Sequence, residues 1–296
     1  MSAIFRGAKT VVVGVLNATP DSFSDGGRFV HGLAEVDLGR AIDLAAALVR
    51  DGADVLDVGG ESTRPGASAV SAALECDRAV PLIEELAKRF AAPISIDTRK
   101  AEVAEAALAA GARAVNDVSG LRFDPALAGV VARTGAQLVV GHSRGTPETM
   151  QRAPHYDAVI PEIAAELRES LALARAAGVA LGALVIDPGI GFGKRPEDNH
   201  ALLVGIGALR AAVGSGLPVL VGPSRKSFLG RLTGDSPEHR DVATHAACAI
   251  AVYEGADAVR VHDVAGAVRA CAVARAVREA RASRIEPKTG HGEGAP

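Results

Sequence analysis

A short phrase recurs along this chain and limits the possible folds more than any other feature. A helix-like stretch ends in Gly, small residues follow, and a brief apolar run begins. It is read in RDGADVLDV, AAGARAVND, RTGAQLVVG, AAGVALGALVID and YEGADAVRV. In each, Gly supplies the positive φ that closes a helix before a strand. The apolar runs are too short for ordinary helices and read as strands buried on both faces. Strands that alternate with helices must pair in parallel through crossover connections.

Taken in order, strands are expected at Val11–Leu16, Asp54–Val58, within ISID, ARAVND and AQLVVGHS, within ALVID, at Pro218–Val221 and within DAVRVHD. Helical spacing covers Leu38–Arg50, Ala73–Phe90, Lys100–Ala110, Asp124–Arg133, Tyr156–Ala177, His200–Val213, Pro237–Glu254 and Val264–Ala282. Eight strand candidates result, the number that closes a (β/α)8 TIM barrel. The alternative, a doubly wound open sheet, calls for G-x-G-x-x-G after the first strand, where this chain has NATPDSFSDGG. The chain has 296 residues, of which 48% are hydrophobic, enough for a large core, and α/β barrels of this length form single domains. Residues 1–283 are assigned to the barrel and 284–296, polar and rich in Gly, to a disordered tail.

Bulk properties exclude several functions. A net charge of -3 gives no general attraction to nucleic acid. Cys76, Cys248 and Cys271 are odd in number and far apart, which suits neither zinc nor a disulfide framework. They read as small buried apolar residues of a reducing, cytoplasmic compartment. No signal-peptide pattern is seen, and no apolar run reaches the roughly 18 residues of a membrane span.

In such a barrel the active site forms at the carboxyl ends of the strands. Those ends carry Asn17, Asp57 with Glu61-Ser62-Thr63-Arg64, Asp97, Asn116-Asp117, His142-Ser143, Asp187, Ser224-Arg225-Lys226, and Arg260 with His262-Asp263. Helix capping explains one such residue, and explains Asp117 and Asp263 well, but not polar residues at all the ends. Asp97, Asn116 and Asp187 suit the edge of a flat heterocycle bearing amide and amino groups, with Lys226 donating to a ring carbonyl. Arg64, Arg260 and His262, with Asn17 beside them, suit a phosphate or diphosphate, although Arg260 also suits a salt bridge to a neighbouring carboxylate. Phe192 suits either stacking on an aromatic ligand or core packing. The loops Asn17–Gly27 and Glu61–Gly66 are expected to close over a reacting centre. No His/Cys cluster for a transition metal is seen, and a loosely held Mg²⁺ bridged to a diphosphate is compatible.

The phrases NATPDSFSDGG, DVGGESTRPG, SIDT, NDVSG, DPGIGFGK, SRKSFLG and VRVHDV, in this order from about Thr10 to Arg281, resemble the dihydropteroate synthase family of pterin-binding barrels. The resemblance implies a homodimeric, sulfonamide-targeted enzyme of folate synthesis. Its implied reaction joins 6-hydroxymethyl-7,8-dihydropterin diphosphate to 4-aminobenzoate and releases diphosphate, after the C–O bond breaks to leave a pterin cation. By position it implies Asp97, Asn116, Asp187 and Lys226 for pterin, and Asn17 for Mg²⁺ or diphosphate. Thr63, Arg64, Arg260 and His262 are implied for diphosphate, and Pro65, Phe192, Ser224 and Lys226 for aminobenzoate. Asp97, Asp187, Lys226, Asn17 and Arg64 are then the implied catalytic set.

One departure stands out. Many family members have a Met-His-Met-like phrase where this chain has Gly141-His142-Ser143-Arg144. Gly141 is expected to remove a side chain packed on pterin, and Arg144 to add a charge. Three rivals carry other chemistry. They are a folate-to-corrinoid methyltransferase, a class I aldolase with a Lys226 Schiff base, and a silent paralogue that binds pterin without turnover.

Overall fold

The computed structural model describes residues 4–7, 9–19, 30–31, 35–62, 66–214 and 216–285. Eight parallel strands form the barrel: β1 (Val11–Asn17), β2 (Val55–Gly59), β3 (Ile94–Asp97), β4 (Ala114–Asp117), β5 (Gln137–Gly141), β6 (Leu184–Asp187), β7 (Leu220–Val221) and β8 (Ala258–Val261). Strands consecutive in the chain are neighbours from β1 to β6, and β8 lies between β1 and β7. One parallel bridge, Ile186 to Val219, joins β6 to β7 and closes the ring. The doubly wound alternative is therefore excluded.

The helices among the described residues are α1 (Leu38–Arg50), α2 (Ala72–Arg89), α3 (Ala101–Ala109), α4 (Ala126–Thr134), α5 (Val159–Ala176), α6 (Pro196–Val204), α7 (Ile206–Val213), α8 (Ser227–Thr233), α9 (Asp241–Tyr253) and α10 (Val264–Ile285). None of them is long and apolar enough to cross a membrane.

Four boundaries differ from the sequence reading. The expected helix His200–Val213 is two helices that meet at Gly205, the first beginning at Pro196. Pro237–His239 is a 3-10 turn ahead of α9. The SRKSFLG phrase, which no helical spacing marks, contains α8, whose first turn follows directly on Lys226. α10 reaches Ile285, two residues into the stretch assigned to the tail, and residues 286–296 lie outside the described ones.

Alternation along the strands separates two cores. Val11, Val13, Val55, Ala114, Val139, Val185, Leu220 and Ala258 meet inside the ring, with Phe5 against them. Their neighbours Val12, Leu56, Val115, Leu138, Ile186, Val221 and Val259 point outward into the larger core beneath the helices. A residue two positions beyond an inner one faces inward again. That arithmetic carries Val55 to Asp57, Ala114 to Asn116, Val185 to Asp187 and Ala258 to Arg260. The apolar plug therefore bears a polar layer at the carboxyl ends.

Candidate active site

Arg260 organises the polar layer. Its Nε donates to Asp57 Oδ2 at 2.5 Å and its Nη2 to Asp97 Oδ2 at 2.8 Å. Asn116 Nδ2 donates to the same Asp57 oxygen at 3.3 Å. Asp57 Oδ1, Asp97 Oδ1 and Asn116 Oδ1 are buried and accept no hydrogen bond from the described residues. Buried acceptors are normally paired, so three together mark a surface built to receive donors. The salt bridge weighed as an alternative for Arg260 is thus present, and Arg260 lines the cavity as well.

The charges agree with that layout. Burial pushes the Asp97 carboxyl up to about 7, against the pull of Arg260 and with Asp57 adding to the rise. Burial likewise raises Asp187, opposed by the Gly189 N–H that reaches its Oδ1 at 2.7 Å and by Lys226 and Lys194. Burial works against the Arg260 charge, but Asp57 and Asp97 outweigh it and hold the guanidinium above its ordinary value.

A cavity of about 310 Å³ opens on this layer. Asn17, Asp97, Phe192, Ser224, Lys226, Arg260 and His262 all line it, so seven residues expected from the sequence share one space. Asn116 and Asp187 stand at the adjoining strand ends, buried and set back from that lining. Lys226 Nζ lies 3.7 Å from the centre of the Phe192 ring, a cation–π contact, so Phe192 is a cavity residue and not core. Ser224 Oγ lies 2.8 Å from His262 Nδ1 and accepts from the His262 backbone N–H at 3.2 Å. Between Ser224 and Lys226, Arg225 takes a left-handed backbone with φ 55°, uncommon for a residue with a side chain. Asp241 holds it through two hydrogen bonds of 2.7 Å, and Thr244 Oγ1 accepts from its N–H at 3.0 Å.

Thr63, Arg64 and Pro65 lie outside the described residues, as does most of the first loop after Thr19. The residues just before them are fixed. Glu61 lines the cavity, bonds Arg99 at 2.8 Å and Lys100 at 3.0 Å, and accepts from the Val70 N–H at 3.0 Å. Burial opposes its charge, yet the hydrogen bonds from Arg99 and Val70 hold its carboxyl below the ordinary value.

Asp263 caps a helix as expected, whereas Asp117 holds the turn after β4 and caps no helix, since α4 begins only at Ala126. Asp117 accepts from Ser119 N, Ser119 Oγ and Leu121 N, while Asp263 accepts from Gly266 N at the start of α10. The Gly141 and Arg144 expectations need correction. A Cβ on Gly141 would lie 2.6 Å from Val118 Cα and 2.8 Å from Asp117 O, so backbone fills the space in question. The Arg144 charge is taken up by Glu162 at 2.7 Å and Glu166 at 2.5 Å, and its guanidinium stacks over Tyr156.

Two important residues carry little local signal. Asp57 stands at a strand end like several others, and only alternation from Val55 puts it inside. Lys194 follows a glycine phrase, and nothing in the sequence around it marks a role. For a metal, the described residues contain no group of three or more His, Cys, Asp or Glu suited to hold an ion. Asn17 offers the cavity one carboxamide oxygen. That set fits a Mg²⁺ that keeps its waters and arrives on phosphate oxygens, not a resident caged ion.

Comparison with known proteins agrees with this geometry. A family model described as pterin binding enzyme matches residues 13–262. The dihydropteroate synthase of Mycobacterium leprae is 46% identical over 84% of this chain and 87% of that protein. The enzyme of the same name from Synechocystis is 45% identical over 85% and 84%. Among solved structures, Yersinia pestis dihydropteroate synthase in a sulfonamide drug complex superposes with a TM-score of 0.86 at 40% identity, covering 92% of this chain and 95% of that one. Xanthomonas albilineans dihydropteroate synthase with 4-aminobenzoic acid gives 0.81 at 42% identity, covering 95% of each.

Proposed function

Because this chain belongs to the dihydropteroate synthase family of pterin-binding enzymes, we propose that it joins 6-hydroxymethyl-7,8-dihydropterin diphosphate to 4-aminobenzoate, giving 7,8-dihydropteroate and diphosphate. The observation that carries this reading is a polar layer with spare acceptors beside one cavity. Oxygens of Asp57, Asp97 and Asn116 are buried at the strand ends without donors, and Asp97, Arg260, His262 and Lys226 line the adjoining cavity.

Asp97, Asn116 and Asp187 accept from the N–H groups of the pterin ring, and Lys226 donates to its carbonyl. Arg260 and His262, with Thr63 and Arg64 from the second loop, hold the diphosphate. Asn17 would hold a Mg²⁺ that arrives with the diphosphate, and such an ion would supply charge that stabilises the leaving group. The C–O bond breaks with its electron pair going to the diphosphate, and the carboxylates of Asp97 and Asp187 stabilise the pterin cation left behind. The arylamine nitrogen, placed by Phe192, Ser224 and Pro65, donates its lone pair to form the new C–N bond and then gives up a proton. A paired subunit and a cytoplasmic setting belong to the same proposal.

The test is a diphosphate-release assay with both substrates and Mg²⁺. Release that needs the arylamine and yields dihydropteroate supports the reading. Pterin binding without release favours the silent paralogue, and borohydride trapping of a carbonyl substrate on Lys226 favours an aldolase.

A further inference from the structure

Behind the cavity runs a chain of buried ionic groups that the reaction above does not use. Lys194, on the loop after β6, is 3% exposed and does not reach the cavity lining. Its Nζ lies 3.0 Å from His142 Nδ1, 3.0 Å from Phe192 O and 3.4 Å from His142 O. An ammonium has three protons, and each has an acceptor here. With Nδ1 accepting, the His142 ring proton sits on Nε2, which donates to Glu166 Oε2 at 3.1 Å. Glu166 also accepts from Arg144 Nε at 2.8 Å and from Arg122 Nη1 at 2.5 Å. One network therefore ties the loops after β4, β5 and β6 to α5.

The glycine phrase explains why a long side chain is needed there. Gly189, Gly191 and Gly193 have φ of 67°, 84° and 61°. A Cβ on Gly189 would lie 1.8 Å from His142 O, and one on Gly193 would lie 2.4 Å from Arg144 O. The turn thus rests backbone to backbone on the residues after β5, with Ile190 buried in the core and Asn199 accepting from the Gly191 N–H at 2.7 Å, but neither group reaches the Phe192 carbonyl. Lys194 reaches back and fixes the Phe192 carbonyl. Its ammonium also stands beside the Asp187 support, since a Cβ on Gly189 would come within 3.3 Å of Nζ while Gly189 N–H holds Asp187.

We propose that Lys194 is a positioning residue for the ring pocket: anchored on a neutral His142, it fixes the turn that carries Phe192 and supplies the positive charge behind Asp187. This rests on the reading that Asp187 accepts from the pterin ring. A purely apolar side chain can pack such a turn, but only a cation acts on the Asp187 carboxylate. Burying an ammonium is expensive, which argues that its charge is used.

The charges facing these groups set the sign of the effect. Asp187 faces Lys226, Lys194 and Arg260. Lys194 faces Asp187, Glu166, Lys226 and Arg144, and burial brings its ammonium down to about 7 against the pull of Asp187. His142 faces Lys194, Glu166 and Arg122, and burial holds its imidazolium down at about 4. Removing Lys194 takes away a cation that keeps Asp187 ionised. The carboxyl then titrates at higher pH, and the acid limb of pterin binding moves up with it.

The experiment is calorimetric titration of 6-hydroxymethylpterin into the full-length wild-type protein and Lys194→Met, from acid to alkaline pH. The variant is expected to bind about tenfold more weakly near neutrality, the equivalent of roughly one pKa unit, and to recover at alkaline pH. An unchanged affinity, or a loss equal at every pH, overturns the assignment. If Lys194→Met does not fold, His142→Leu carries the test. It withdraws one acceptor from the ammonium and must move the acid limb in the same direction by less, and an unmoved limb overturns the assignment. Wild-type protein that takes up no pterin at any pH sinks the functional reading and this one with it, whereas wild-type binding matched by the variant at every pH sinks only this one.

Discussion

Two buried ionic clusters sit at the same end of the barrel and are built on opposite terms. In the Lys194–His142–Glu166–Arg144 cluster no buried polar atom lacks a partner. In the Asp57–Arg260–Asp97–Asn116 cluster three oxygens do. Both burials are costly, so the difference is informative. A closed network rigidifies whatever it touches, and an open one reserves its bonding capacity for something else. Having charged residues at a strand end does not separate the two roles, whereas the count of satisfied atoms does.

The comparison is tested most severely at Arg260. Arg260→Ala leaves Asp57 and Asp97 buried without their cation, and stability is expected to fall by about 3–5 kcal/mol in chemical denaturation. In protein that still folds, the KM for the diphosphate substrate is expected to rise far more than that for aminobenzoate. Equal rises would mean that the anion site is misassigned.

Asp97→Asn comes next. It turns one acceptor into a donor facing a ring N–H, and should weaken pterin binding by about 10–100-fold by calorimetry. The ionised carboxylate is the binding form and burial sets its titration near 7, so wild-type affinity should fall as pH drops through about 7. Asp97→Asn should lack the Asp97 part of that limb and keep the part set by Asp187. Stability runs the other way. The folded protein keeps a proton on Asp97 that the unfolded chain has released, so this group favours folding at low pH and loses that contribution as pH rises to about 7.

Smaller effects sharpen the contrast. Phe192→Leu removes the ring beneath Lys226 and should raise the aminobenzoate KM about two- to fivefold, from a cation–π contact of roughly 0.5–1 kcal/mol. Arg144→Gln should cost about 1 kcal/mol of stability, because its guanidinium is only partly buried. Arg122 still holds Glu166 in that variant, so pterin affinity should stay within about twofold. A large loss of affinity would instead show that the closed cluster extends its influence to the ring through Arg144.

Much of the barrel could be read from punctuation alone. Gly after five of the helices, Pro93 before β3 and the short apolar runs placed all eight strands to within a few residues. The break at Gly205 was hidden because apolar spacing continues across it into α7. α8 was hidden because Ser227-Phe228-Leu229-Gly230 is too short to show a period, and its start depends on the turn at Arg225. At the site, six of the seven residues that share the cavity were visible as polar residues at or just beyond strand ends, and Phe192 as an aromatic within a glycine phrase. What Arg260 bonds was not visible, because Asp57 lies on another strand and nothing local announces the pair. Stepping by two from Val55 would have placed Asp57 inside. Lys194 has no such signal, since its role depends on how a glycine turn meets the end of β5.

Arg260 and Asp57 lie 203 positions apart, one on the last strand and the other on the second. During synthesis the acids of β2 and β3 therefore emerge long before the only strand that brings their counter-ion. A chain that stops short of β8 holds those carboxylates without the guanidinium that bonds them both, and leaves the ring open between β7 and β1. In this protein, completing the catalytic floor and closing the ring are one event, so a molecule able to turn over substrate is one that has been finished.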